Sequence, residues 1–375
     1  MEKLGNINKF TLALSSVCIL SPATVFAEID WRGYATIAAG KTFEGGQTYD
    51  NLTDELEMDQ LSVVGLQGSS DLSDGLSATV QLVARGKNDF DPEFEWAYVK
   101  YQINDNADVK FGRLRAPFYF YSEYLDVSYA YSWISPPIEV YAANVTNYDG
   151  INFYYTNNFG SFDYAVYLGS GKREVTLSVG DLSGKYDIIS NFDLNYGDIK
   201  TKLIYSQFEL TVTNSNEDAQ ISQLDSAFDS DFPNAFLATD MGGYIAGVAA
   251  YYDPGSYYFG VEYAEVRFDD DVISIAEDDR FLATLGYRYN EYTLHYSYSS
   301  SDKTNDLDKI ATTDARYSSA KAFTDQVVAE DKTHIIGLRY DFHSNAALKF
   351  EYGFTDDDYA NTDTQFFRSG ISIIF

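Results

Sequence analysis

The stretch Phe281-Leu282-Ala283-Thr284-Leu285-Gly286-Tyr287-Arg288-Tyr289-Asn290-Glu291-Tyr292-Thr293-Leu294-His295-Tyr296-Ser297-Tyr298-Ser299 decides the fold. Phe281, Ala283, Leu285, Tyr287 and Tyr289 alternate with Leu282, Thr284, Gly286 and Arg288. After Asn290-Glu291, Tyr292, Leu294, Tyr296 and Tyr298 alternate with Thr293, His295, Ser297 and Ser299. Successive side chains of a strand point to opposite faces, so this is a hairpin with one apolar, ring-rich face and one polar face. The same period recurs upstream. Ile29, Trp31, Ala35 and Ile37 oppose Asp30, Arg32, Tyr34 and Thr36, and Ala78, Val80, Leu82 and Ala84 oppose Ser77, Thr79, Gln81 and Arg85. A soluble sandwich would alternate as well. Here, however, the polar face carries Arg, Lys, Glu and His at mid-strand, and the apolar face often ends in an aromatic ring. A barrel with lipid outside, aromatic girdles and a polar lumen requires both.

The connections alternate between short and long. Turn residues mark short ones at 71–75, 104–107, 157–161, 195–198, 253–256, 290–291 and 343–347. Long ones fall near 40–57, 86–92, 114–147, 170–185, 209–242, 268–280, 300–333 and 355–365. Seven turns and eight loops join sixteen antiparallel strands in an all-β fold, with both termini on the short-turn side. Pro92, Pro117, Pro136, Pro137, Pro233 and Pro254 are all expected in connections, where a missing N–H interrupts no ladder. At the C-terminus Phe367, Ile371, Ile373 and Phe375 share one face, and a strand ending on an aromatic residue suits the closing strand of a barrel.

The 375-residue chain holds 33 Tyr, 26 Phe and 3 Trp, with 57 acidic against 26 basic residues and a net charge of −31. Nucleic acid is excluded as a main partner, because phosphate binding needs clustered Lys and Arg. So many rings argue against disorder. Residues 1–27 read as a secretory leader: Lys3 and Lys9 are basic, Phe10 to Leu20 is apolar, and Val25-Phe26-Ala27 ends in a cleavage-type pattern. Eleven apolar residues are too few for a spanning helix. The one cysteine, Cys18, lies within that leader, so residues 28–375 form a barrel domain without disulfides, as fits a bacterial envelope protein. No later stretch is apolar for long enough to be a helical span.

The segment Gly68-Ser69-Ser70-Asp71-Leu72-Ser73-Asp74-Gly75-Leu76-Ser77-Ala78 is similar to the first hairpin of the general (Gram-negative) outer-membrane porins, and two further segments resemble that family. Phe111-Gly112-Arg113 is similar to the strand end that leads into its third loop, and Arg368 to Phe375 to its C-terminal assembly signal, here carried by Gly370, Ile373 and Phe375. The resemblance implies a homotrimer of sixteen-stranded barrels in the bacterial outer membrane, inserted by the barrel-assembly machinery and in contact with lipid and lipopolysaccharide. It implies a third loop folded into the lumen, whose acids oppose basic wall residues. Those acids are Glu123, Asp126 and Glu139; the bases are Arg32, Arg85 and Lys100 on lumenal faces, with Arg113 and Arg115 at the start of the loop.

Opposed charges at a constriction would make a transverse field and a weakly charge-selective diffusion channel for ions and small hydrophilic solutes, with no cofactor. Net charge suggests a mild cation preference. Lys200, Lys202, Glu262, Arg288 and Lys349 are expected only to keep the lumen wet. The third loop departs from the enterobacterial pattern and reads Phe118-Tyr119-Phe120-Tyr121 and Tyr129-Ala130-Tyr131-Ser132-Trp133. Those rings either pack the loop on the wall or offer stacking faces to sugars, so a saccharide-selective channel is the alternative, followed by a non-conducting structural or adhesive barrel. The acidic runs in 209–242, 269–271 and 356–358 read as solvated outer surface, and no run matches a defined calcium loop. His295 and Ser297 share a face, but neither an orienting group nor an oxyanion site accompanies them, so no enzyme is expected.

Overall fold

Because alternation gives every segment one face for lipid and one for the interior, the strands satisfy their backbone groups only by pairing in a closed ring. A computed structural model describes residues 28–142, 145–177, 180–213, 219–228, 230–232, 236–237, 239–269 and 273–375. The leader read at 1–27 lies outside the described residues. The strands are β1 (Ile29–Thr42), β2 (Val63–Ser73), β3 (Leu76–Arg85), β4 (Pro92–Asn104), β5 (Ala107–Arg115), β6 (Asn147–Phe159), β7 (Phe162–Leu177) and β8 (Gly180–Tyr196). They continue as β9 (Ile199–Thr213), β10 (Met241–Tyr252), β11 (Tyr257–Phe268), β12 (Glu277–Tyr289), β13 (Tyr292–Thr304), β14 (Ala329–His343), β15 (Ala346–Asp357) and β16 (Thr362–Ile374). Each pairs antiparallel with its sequence neighbours, and β1 pairs with β16 to close the barrel.

Closure is completed at the last residue. The register of β1 on β16 runs from Thr42↔Phe366 to Tyr34↔Ile374. Beyond it, Gly33 N–H donates to the Phe375 carbonyl at 2.6 Å and Phe375 N–H donates to the Gly33 carbonyl at 2.9 Å. A Cβ on Gly33 would lie 2.3 Å from the Phe375 ring, so this ring needs bare backbone beneath it. Gly370 and Ile373 sit in the same seam, opposite Ala38 and Ala35.

The outward face is the apolar one. Leu285, Tyr287, Leu294 and Ile371 are 50 %, 57 %, 53 % and 44 % exposed, while Leu282, Thr284, His295 and Ser297, one residue out of phase, are buried inside. The seven short turns lie where the sequence puts them. The connection expected at 170–185 is instead largely strand. Lys172-Arg173-Glu174-Val175-Thr176-Leu177 keeps the alternation, and β7–β8 pairing passes a bulge near Gly169 and continues to Leu177↔Gly180. Pro92 opens β4 rather than lying in a connection, a position where its absent N–H costs no ladder bond.

The acidic outer connections are more than solvated surface. Within 214–240 lies α1 (Ala219–Phe228), and within 305–328 lies α2 (Tyr317–Thr324). Phe228, Phe236, Ile273, Ile310 and Ala320 form one buried cluster between these connections. The Arg316 guanidinium stacks 4.4 Å from the Phe228 ring centroid and pairs with Asp231 and Asp314.

Candidate functional site

The described residues of the third long connection, 116–142 and 145–146, spend their backbone and side-chain polar groups on inward-facing wall residues. Asn191 of β8 donates to the Pro117 carbonyl at 2.9 Å. Glu262 of β11 accepts from the Phe120 N–H and from the hydroxyls of Tyr141 and Tyr251. Arg280 of β12 donates to the Tyr119 hydroxyl and the Val140 carbonyl. Trp133 Nε1–H donates to Ser297 Oγ of β13 at 2.9 Å. Arg339 of β14 donates to the carbonyls of Tyr129 and Tyr131, and Glu351 of β15 accepts from the Ile134 N–H. The Lys349 ammonium, also on β15, donates to the carbonyls of Ser128, Tyr131 and Trp133. Arg368 of β16 bonds Glu351 and Ser135. This connection has only single turns of helix of its own, at Ser122–Tyr124, Ser128–Ala130 and Ile138–Tyr141, so carbonyls are left to satisfy, and these cations satisfy them.

The rings of this connection pack. Phe118, Tyr119, Tyr131, Trp133 and Tyr141 are buried in one cluster with Tyr148, Ile189, Phe208, Leu210, Ile245 and Leu282 from the inward faces of β6 to β12. Phe120 stacks on Tyr251 with centroids 4.1 Å apart. The lumen thus holds an apolar core that strict polar-inside alternation does not foresee.

The sequence-predicted charges separate into four outcomes. Asp126 meets Arg85 at 2.7 Å and Arg115 at 2.7 Å, and Glu95 meets the same two cations at 2.7 and 3.3 Å. Glu95 reaches them because a bulge against β3 places it one residue out of phase on β4. These charges are in contact rather than opposed across water, which corrects the expected field between Arg85 and Asp126. Glu139 is buried on the far wall, where it accepts from Ser299 and Thr333 hydroxyls and has no basic partner in an ion pair among the described residues. Glu123 is exposed, and Lys100 is half-buried on an inward face beside Lys110, across the β4–β5 register. The other two basic assignments fail. Arg32 pairs with Asp30 at 2.7 Å near the start of β1, with its side chain 75 % exposed and away from the third connection. Arg113 shares the outward face with Phe111 and Ile151 and pairs with Asp149 across β5–β6. Strand parity alone places it outside, two residues before β5 ends, where an outward charge is tolerated.

Lys349 and Glu262, read as wetting the lumen, are instead buried anchors of the connection, and Arg280, Arg339 and Arg368 act likewise. Their inward parity is in the sequence; their carbonyl partners leave no side-chain signal. Ser297 is occupied by Trp133 and by Thr284 at 2.8 Å. Among the described residues no group of three or more His, Cys, Asp or Glu is placed to hold a metal ion.

A family model described as Gram-negative porin matches residues 13–367. No curated protein sequence matches the chain. Solved structures do. An anion-selective porin from Comamonas acidovorans matches with TM-score 0.59 and 16 % identity, over 93 % of this chain and 100 % of that one. The outer membrane channel DcaP of Acinetobacter baumannii matches with TM-score 0.59 and 12 % identity, over 93 % and 97 %. In-vitro folded OmpT of Vibrio cholerae, in its trimer form, matches with TM-score 0.55 and 12 % identity, over 93 % and 99 %. At these identities the likeness shows a shared barrel fold.

Proposed function

The chain belongs to the Gram-negative porins and forms an outer-membrane channel, and on that premise we propose that it passes ions and small hydrophilic solutes by passive diffusion through a lumen narrowed by residues 116–146. One observation carries the reading: the connection is bonded along β8 and β11 to β16, reaches β3 to β5 at Asp126 and Thr146, and leaves other inward residues of β4 to β6 partly open. Inward Tyr98, Lys100, Lys110 and Tyr154 on β4 to β6 stay half-buried, while inward residues of β13 to β16 are covered. The permeation path runs along the open side, between Glu123 and the pair Lys100 and Lys110. Charge at that passage, rather than the self-compensated Arg85–Asp126–Arg115–Glu95 cluster, sets ion preference.

The buried state of Phe118, Tyr119, Tyr131 and Trp133 favours packing over sugar stacking, so a general channel is the better reading. The channel assembles as a homotrimer, a reading supported by the trimer form of the Vibrio cholerae barrel. Residues 1–27 direct export, and the β1–β16 seam with Gly370, Ile373 and Phe375 is the part presented to the assembly machinery. Its outward apolar belt meets lipid and lipopolysaccharide. Planar-bilayer recording tests the function: stepwise, roughly ohmic conductance is expected, and its absence would sink the proposal. In a salt gradient Glu123→Gln should move the reversal potential towards anion preference, with an unchanged potential refuting the role of Glu123.

A further inference from the structure

On the long-connection side of residues 116–146 lies a chamber of ≈ 800 Å³. Its floor comes from residues 125–142, and its walls include the β1–β2 connection and the outer ends of β7, β14 and β15. That volume is in the ~300–1,000 Å³ range of ligand chambers. The lining charges divide by commitment. Arg85 is engaged by Asp126 and Glu93, and Asp50 by Arg368. Lys87 and Arg173 also line the chamber, and neither has an ion pair or hydrogen bond from its side chain among the described residues. On the other side Glu139 has only hydroxyl donors, and Asp331 meets its nearest cation, Lys303, no closer than 3.7 Å.

Strand order fixes where these groups stand. Lys87 follows β3 and Arg173 is on β7, so the two cations flank the sector centred on β5. Asp331 is on β14, and Glu139 is docked where β13 meets β14. In a ring of sixteen strands those sectors are about half a turn apart. A solute bearing one sign of charge gains at one wall and loses at the other. A solute with both signs, well separated, gains at both.

We propose that this chamber binds short zwitterionic peptides, with the carboxylate towards Lys87 and Arg173 and the ammonium towards Asp331 and Glu139. A chamber of ≈ 800 Å³ admits a peptide of a few residues, and three extended residues span about 10 Å. A free amino acid, with its charges two bonds apart, cannot reach both walls. The inference rests on the channel reading and names a solute class for it.

The test is single-channel recording of the intact protein with trialanine, its N-acetyl form, its C-terminal amide, and the doubly blocked form. Trialanine should interrupt the current at least tenfold more often than the other three, and Arg173→Gln or Asp331→Asn should each reduce that frequency about tenfold. The exposed Lys87→Gln should weaken it in the same direction, which keeps the test decisive should either other variant fail to fold. Equal interruption by the N-acetyl form would make this a plain anion site and overturn the proposal. Equal interruption by the amide, silence with all four peptides, or unaffected variants would overturn it as well. Calorimetric titration of trialanine into detergent-solubilised protein reads binding without conductance, so a non-conducting barrel that binds trialanine would refute the channel and not the chamber.

Discussion

Along β13 to β16 the inward side chains Ser297, Ser299, Thr333, Lys349 and Arg368 are at most 1 % exposed, whereas along β4 to β6 Tyr98, Lys100, Lys110 and Tyr154 keep part of their surface open. Both sectors present polar and charged residues to the interior at the same strand period. In the first, each charge faces the backbone of residues 128–135 and is consumed by it; in the second, no such backbone lies opposite. Polarity of the inward face therefore does not distinguish a water-lined wall from a docking surface. What distinguishes them is the unpaired carbonyls that a turn-rich segment brings along.

The contrast breaks most severely at Asp126, whose ion pairs tie the connection to the open sector. Asp126→Ala leaves Arg85 and Arg115 without the carboxylate of the connection, and loss of one partner of a buried ion pair costs about 3–5 kcal/mol. Urea unfolding in detergent should show it, and a loss below about 1 kcal/mol would mean that this tie carries no stability. Lys349→Met orphans the Ser128, Tyr131 and Trp133 carbonyls, at about 2–3 kcal/mol, and should raise open-channel noise as the connection loosens. Lys100→Met in the open sector should cost under about 0.5 kcal/mol. Equal losses for the two lysines would erase the distinction between sectors. Trp133→Phe keeps an aromatic ring but removes the donor to Ser297 and leaves a small void where the larger indole stood, for about 2 kcal/mol.

The smallest effect concerns acid and the outer connections. Side-chain and backbone hydrogen bonds from Arg316 hold Asp314 down to about 2. A depressed carboxylate stabilises the fold above its unfolded value and loses that contribution only as pH falls through its folded value. Proteolysis of residues 306–324 should therefore proceed at one rate from about pH 7 to about pH 4, and a rise within that window would remove Asp314 from the clamp.

Most of the barrel is legible in the sequence, because strand, turn and face are local properties. The alternation at 281–299 fixes both strands and their inward residues, and Asn290, at φ 52°, marks the turn. The reading fails at 170–185, where charged residues look like loop while their period still says strand. Charge and loop position single out Arg85, Arg115 and Asp126, which the fold brings into direct contact. They misplace Arg113, whose parity with Phe111 is the decisive local fact, and Glu139, whose hydroxyl partners are 160 and 194 residues away. Lys349 and Glu262 were visible as inward charges, but their role depends on a segment more than a hundred residues upstream.

The seam between Gly33 and Phe375 sets an order of events. β1 carries an unpaired edge until β16 lies beside it, and the two main-chain bonds between Gly33 and Phe375 cover the end of that edge. The ring is therefore sealed by the two strands farthest apart in sequence, after every other neighbour pair can already have formed. Open edges invite pairing with other chains, so the bonds that close the wall also remove the surface through which partly built copies would join one another.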